Sequence, residues 1–280
     1  MISSSSGCRL PLVTTCIDSP SYENFHNVLL LGEADYSFTR AFATRCSLDS
    51  SISKGQNIQI TATEYGDGVD IMNRYFNHSD ISSSLSETMN SLLRFESVVD
   101  VICNLNARHL GEMDGRKMIR DTNDQNTKSN ESFVCTCQRW NTNHNEWDDP
   151  SPFWKDDGKD KYDLVIFNFP HSDQAGRATR LVKALFKQIR LCIDQGKFAS
   201  NVVLEMRLRT IEINPEKKKN IRSLYNHEEA ATESGFVCIG CWPGDLQRWE
   251  KFGYQHKMTK KNETCRDINN DCKVWRWKSK

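Results

Sequence analysis

An amide, an aromatic ring, a proline and an imidazole, Asn168-Phe169-Pro170-His171, stand directly after the apolar run Val165–Phe167. An amide both donates and accepts hydrogen bonds, and an aromatic ring offers a flat apolar face. Imidazole titrates near neutral pH and can take a proton in the transition state. The plain alternative is that Pro170 ends a strand and His171 caps it or faces solvent.

A second group follows the run Val28–Leu31, in "GEADYSF" (32–38). Gly32 permits a tight turn, and a helix opening near Tyr36, with Asp35 as its N-cap, offers free N–H groups. The loop is not a dinucleotide fingerprint, because Ala34 stands where a second glycine is needed. Nor is it a phosphate loop, since no Gly-Lys-Ser/Thr follows. Glu33 and Asp35 repel phosphates but can receive an ammonium group. A third group, "ATEYGDG" (62–68), puts Glu64, or else Asp67, where a carboxylate can accept both hydroxyls of a ribose. A fourth, Asn104–Asn106, carries amides that can read an adenine edge. Amino-acid end, ribose and adenine together describe S-adenosylmethionine. For each acid alone, a helix cap or a solvated turn accounts for it equally well.

The elements that must position these groups alternate. Strands are expected over Val28–Leu31, within 57–68, 97–111 and 161–171, and over 201–208, 236–242 and 272–278. Helices are expected from Tyr36, from about Val69 to Phe76, over 173–194 and over 215–235. In 173–194, Leu181, Val182, Leu185 and Ile189 form one apolar stripe, and Arg180, Lys183, Lys187 and Arg190 another face. Alternating strands and helices predict an α/β fold, a mostly parallel central sheet with helices on both faces, whose ligands sit at the carboxyl ends of the strands. Residues 112–160 break the rhythm with 11 acids, 7 bases and little periodicity, and read as a largely flexible insertion in a single domain spanning 26–280. Residues 1–25 read as a disordered tail, with an organelle-targeting segment as the alternative.

The chain has 280 residues, 37 Lys+Arg and 37 Asp+Glu, so bulk charge announces no nucleic-acid partner. No apolar run is long enough to span a membrane. Eleven cysteines without an apolar leader read as free thiols in a reducing compartment. Cys238 with Cys241, and Cys135 with Cys137 and His144, can be drawn as metal sites. Three-residue spacing on a strand turns Cys238 and Cys241 to opposite faces, so no metal is expected.

"LLLGEADYSF", "ITATEY", "YDLVIFNFPH" and "GYQHKMT" (253–259) resemble, in order, the landmarks of the 25S rRNA (uridine-N3)-methyltransferase-like family. Its usual forms are close to GEGDFSF, ATSYD, FD-x-I-x-FNFPH and GY-x-H-x-x-T. This chain has Ala34 for the middle Gly, Glu64 where Ser is frequent, Asn106 for an Asp, and Met258 for a basic residue. The resemblance implies a Rossmann-like class I methyltransferase that uses S-adenosylmethionine on a uridine of large-subunit rRNA, in the nucleolus or the cytoplasm. The candidate cofactor residues are Gly32, Glu33, Asp35, Ser37, Phe38, Glu64, Tyr65 and Asn106. The candidate catalytic residues are Asn168, Phe169, Pro170 and His171. Asn168 can hold O2 or O4 of the base, Phe169 can stack on it for ~1–3 kcal/mol, and His171, or in reserve His256, can take the N3 proton. A non-catalytic RNA-binding or assembly factor that keeps the fold is the alternative.

An RNA partner needs local positive charge. Residues 251–280 hold 9 Lys/Arg against 3 Asp/Glu, interleaved with aromatics. Tyr254, His256 and Lys257, with Arg180, Lys183 and Lys187, are the candidate RNA contacts. A charged helix stripe is also what a plain solvated face looks like, and Trp275 and Trp277 suit packing within the sheet better than stacking on bases.

Overall fold

The computed structural model describes residues 20–33, 35–48, 58–73, 85–111, 136–154, 161–168, 170, 177–209, 225–244, 246–254 and 272–280. Its centre is β1 (Asn27–Leu31), an apolar strand buried along Val28–Leu31. β1 pairs in parallel with β2 (Gln59–Thr63) on one side and β7 (Tyr162–Asn168) on the other. Parallel pairing continues outward from β2 to β3 (Val98–Cys103), and from β7 to β8 (Phe198–Arg209). Near-continuous apolar runs suit strands covered on both faces.

Antiparallel strands complete both flanks. β10 (Cys272–Ser279) lies between β8 and β9 (Phe236–Pro243) and is antiparallel to each. At the other flank β4 (Thr136–Asn141) adds to β3, and the short β5 (Glu146–Trp147) and β6 (Ser151–Pro152) pair with β4. The expectation of a largely unstructured 112–160 is therefore corrected over 136–154. Arg139 explains the order there: it reaches Asp100, Ser151 and the carbonyl of Phe153, and Trp140 packs edge-on against Trp147. Residues 112–135 and 155–160 lie outside the described residues.

One face of the sheet is covered by α1 (Ser37–Leu48), α3 (Leu85–Leu93) and α6 (Leu246–Glu250). The other is covered by α4 (Arg177–Asp194), which buries Val182, Leu185, Phe186 and Ile189, and by α5 (His227–Glu233). The short α2 (Gly68–Ile71) follows β2. Of the helices expected at Val69–Phe76 and 215–235, only these pieces fall among the described residues.

Two further expectations change. Residues 20–25 are not a loose tail, because Tyr22 is buried against Phe42 and Trp249. The charged stripe of α4 is half structural. Lys183 pairs with Glu233 at 2.7 Å, and Arg190 donates to the carbonyls of Ser234 and Gly235, tying α5 down. Arg180 and Lys187 remain exposed. Trp275 and Trp277 do pack in the sheet, stacked on each other and against His227.

Candidate active site

The strand order reverses between β1 and β7, because β2 and β3 lie on one side of β1 and β7 and β8 on the other. A crevice outside the strand tips is expected at that point. The loops there are knitted together by backbone. Glu33 N–H donates to Thr63 O and Glu64 N–H to Ile102 O, while Leu105 N–H donates to Glu64 O and Asn104 N–H to Gly66 O. Strand-like pairing thus extends past the strand ends, and the tips of β1, β2 and β3 are held as one rigid rim.

Gly32 begins the first loop with φ +65, a region that favours glycine. A Cβ there would also sit 2.9 Å from Phe167 Cε2 on β7. This single position therefore sets how closely the two tips approach. Leu31 pairs with Phe167 in the ladder, and one residue further Asn168 Nδ2 reaches Glu33 Oε1 at 3.4 Å. The Asn168 group and the Gly32–Phe38 group thus meet.

Glu33 is only 5% exposed. Its Oε2 accepts from Thr39 Oγ1 at 2.9 Å, and no described basic side chain pairs with it. Burial pushes its carboxyl up to about 8, opposed by the Thr39 hydrogen bonds and reinforced by Asp35 and Glu64. A buried acid of this kind suits a ligand that brings its own cation, and the α-ammonium of S-adenosylmethionine meets that need. The donor set therefore fits that cofactor.

The other cofactor candidates are placed as follows. Asp35 Oδ1 accepts from Ser37 N–H, as expected of a residue capping α1. Ser37 and Phe38 are buried, and Phe38 packs on Phe42, Trp249 and Tyr254. Glu64 is buried at the β2 tip, and Tyr65 beside it is exposed. Asn106 uses its side-chain oxygen to cap the short 3-10 turn Ala107–His109. Asp67, the second choice for ribose, caps α2 by accepting from Asp70 N–H at 2.8 Å. Ala34, Phe169, His171, His256 and Lys257 lie outside the described residues, and Pro170 is buried. Tyr254 is buried edge-on to Phe38, which corrects its reading as a surface contact for RNA.

Behind Asn168 lies a buried polar chain that the sequence reading missed. Arg207 Nη1 donates to Asn168 Oδ1 at 2.7 Å and pairs with Glu205 Oε1 at 2.9 Å. Tyr22 OH donates to Glu205 Oε1 and accepts from Arg207 Nη2. Arg276 Nε closes the cluster on Glu205 Oε2 at 2.8 Å. Glu205 and Arg207 are 0% and 1% exposed. Burial alone would raise the Glu205 carboxyl, but Arg207 and Arg276 overcome it and hold it below the usual carboxylate range. The guanidinium of Arg207 lies 4.7 Å from the Phe38 ring centroid. The signal was present in "LEMRL" (204–208): two charges two residues apart on an apolar strand must share one face.

No cluster of His, Cys, Asp or Glu able to hold a metal occurs among the described residues, where Cys238 is exposed and Cys241 buried. No described helix is long and apolar enough to cross a membrane.

The solved structures that resemble the chain include three methyltransferases. The 16S rRNA methyltransferase KamB has a TM-score of 0.43 and 8% identity, over 92% of this chain and 89% of its own. The 16S rRNA (adenine(1408)-N(1))-methyltransferase from Catenulisporales acidiphilia has a TM-score of 0.43 and 7% identity, over 91% and 87%. The O-methyltransferase TomG from Streptomyces achromogenes, solved in complex with SAM, has a TM-score of 0.39 and 8% identity, over 92% and 75%. No curated protein matches the chain. Residues 29–258, which include both groups that meet at the β1–β7 switch point, match the family described as rRNA (uridine-N3-)-methyltransferase BTM5-like. The chain is a member of that BMT5-like family of rRNA methyltransferases.

Proposed function

We propose that this protein transfers a methyl group from S-adenosylmethionine to N3 of a uridine in large-subunit rRNA, at the crevice between the β1 and β7 tips. The observation that carries the reading is the meeting of Glu33 and Asn168 across β1 and β7, inside the span that matches the family. S-adenosylmethionine, when bound, supplies an electrophilic methyl on a sulfonium, which departs as a neutral thioether. The protein's own residues do the rest.

Glu33 takes the ammonium end of the cofactor, giving up its proton as the cation arrives. Gly32 keeps the turn free of a side chain. Glu64 stands at the second tip for the ribose. Asn168 holds a carbonyl oxygen of a uracil drawn out of its strand. Phe169 stacks on the base, and His171, three residues after Asn168 in the chain, accepts the N3 proton. N3, relieved of that proton, would take the methyl that the bound cofactor supplies. Arg180 and Lys187 extend a phosphate track on α4. The site of action follows the substrate, the nucleolus or the cytoplasm.

The test is transfer of labelled methyl to in vitro transcribed large-subunit rRNA, with mass spectrometry of the digested nucleosides. 3-Methyluridine is expected. No cofactor binding and no product, with RNA affinity retained, would identify an assembly factor instead. His171→Ala should cut turnover about 10²–10⁴-fold and leave cofactor affinity nearly intact, whereas unchanged turnover removes His171 as the base.

A further inference from the structure

Resting on the reading above, we infer that Arg207 is a positioning residue that fixes the polarity of Asn168, so that the amide meets the base as a hydrogen-bond donor to a carbonyl. An amide can present either pole, and its partners decide which. Arg207 has N–H donors and no acceptor, so the atom 2.7 Å from its Nη1 must be the Asn168 oxygen. A flipped amide would set donors against donors in a buried place.

Arg207 cannot drift to accommodate that flip. Glu205 Oε1 and Tyr22 OH hold its two terminal nitrogens, and its Cζ lies over the Phe38 ring. Glu205 is anchored in turn by Arg276 and Tyr22. Arg207 donates to Glu205, Tyr22 and Asn168 alike, so the network ends at the amide in the two hydrogens of Asn168 Nδ2. Among the described residues only Glu33 Oε1, at 3.4 Å, accepts from that nitrogen. One hydrogen is left for a ligand at the switch point.

That pole matches uracil. Its N3 lies between two carbonyls, and loss of the N3 proton moves negative charge onto O2 and O4. A donor strengthens as that charge grows, so it favours the transition state over the neutral base. The cation on the amide oxygen polarises the amide and sharpens its N–H donation. An exocyclic amine of cytosine or adenine at the same place would meet donor with donor. Arg207 therefore acts on both rate and base choice without touching substrate.

The test uses the whole protein, in vitro transcribed large-subunit rRNA and tritiated S-adenosylmethionine. Asn168→Asp keeps an oxygen for Arg207 and deletes both N–H donors. Its kcat should fall about 10²-fold, with KM for RNA and Kd for the cofactor within about threefold. Turnover within about threefold of the parent overturns the inference, because an accepting oxygen would then suffice. Arg207→Met should lower kcat in the same way and Arg207→Lys should restore part of it; equal kcat in all three proteins also overturns it. Where Arg207→Met does not fold, Asn168→Asp carries the test alone. A parent protein that methylates no RNA sinks the proposed function, and the inference with it. A parent that methylates while Asn168→Asp does so equally leaves the function standing and removes only the inference.

Discussion

The two faces of the central sheet are built on different physics. On the α4–α5 face, Leu29, Leu31, Val165, Leu204 and Met206 meet Val182, Leu185, Phe186 and Ile189 in a dry core. His227 is buried on this face, wedged against Trp275 and Trp277. On the α1–α3–α6 face, an aromatic floor of Tyr22, Phe38, Phe42 and Trp249 surrounds Glu205, Arg207 and Arg276, with Glu33 and Asn168 at the rim. An apolar filling of equal volume is often as stable as a buried ion cluster or more so. Placing a buried ion cluster directly behind the strand tips therefore points to orientation of the site as its purpose.

Removing one member of the cluster gives the largest expected effect. Glu205→Leu leaves Arg207 and Arg276 buried without their anion and should cost about 3–5 kcal/mol in urea unfolding. The double change Glu205→Leu with Arg207→Met should cost less than Glu205→Leu alone, since the charge is removed as a pair. A double variant less stable than Glu205→Leu would show that the cluster carries stability after all. On the dry face, Leu185→Ala should cost about 2–5 kcal/mol through its cavity while leaving kcat unchanged well below the melting temperature. A lowered kcat there would erase the division of labour between the faces.

The faces should also answer pH with opposite signs. Burial holds the His227 imidazole down at about 4, against 6.5 when free. The unfolded chain binds the extra proton between those values, so this face loses stability as pH falls from 6.5 toward 4. Glu33 is raised from 4.5 to about 8, so the folded chain holds the extra proton. Its contribution is present at low pH and is lost as pH rises from 4.5 through 8. Each slope is at most about 1.4 kcal/mol per pH unit. Denaturant midpoints across pH should show His227→Phe flattening the acid limb and Glu33→Gln the alkaline one. Swapped assignments would contradict the burial on which both rest. Lys183→Ala, which breaks a half-exposed pair with Glu233, should cost under about 1 kcal/mol.

Much of this was legible in the chain itself. The strand tips carry their chemistry in order, and Gly32, Glu33 and Asn168 stand where the alternation of elements put them. α4 could be read from its stripe, because 18 residues give the period room to repeat. What stayed hidden depends on contacts distant in sequence. Tyr22 reads as tail because its partners, Glu205 and Arg207, lie 183 and 185 residues away. β4 is polar and short, and Arg139 orders it through Asp100, which periodicity does not record. Asp67 and Glu64 look alike in the chain, and only the structure shows which one caps a helix.

β10 occupies the lane between β8 and β9 and brings Arg276 to Glu205. During synthesis, β8 and β9 therefore emerge with no strand to join them, and Glu205 waits with one guanidinium instead of two. A nascent chain stopped before Cys272 is expected to be cut within β8 by a protease that leaves the finished protein intact. Catalytic competence thus waits for β10, made long after the residues that would do the chemistry.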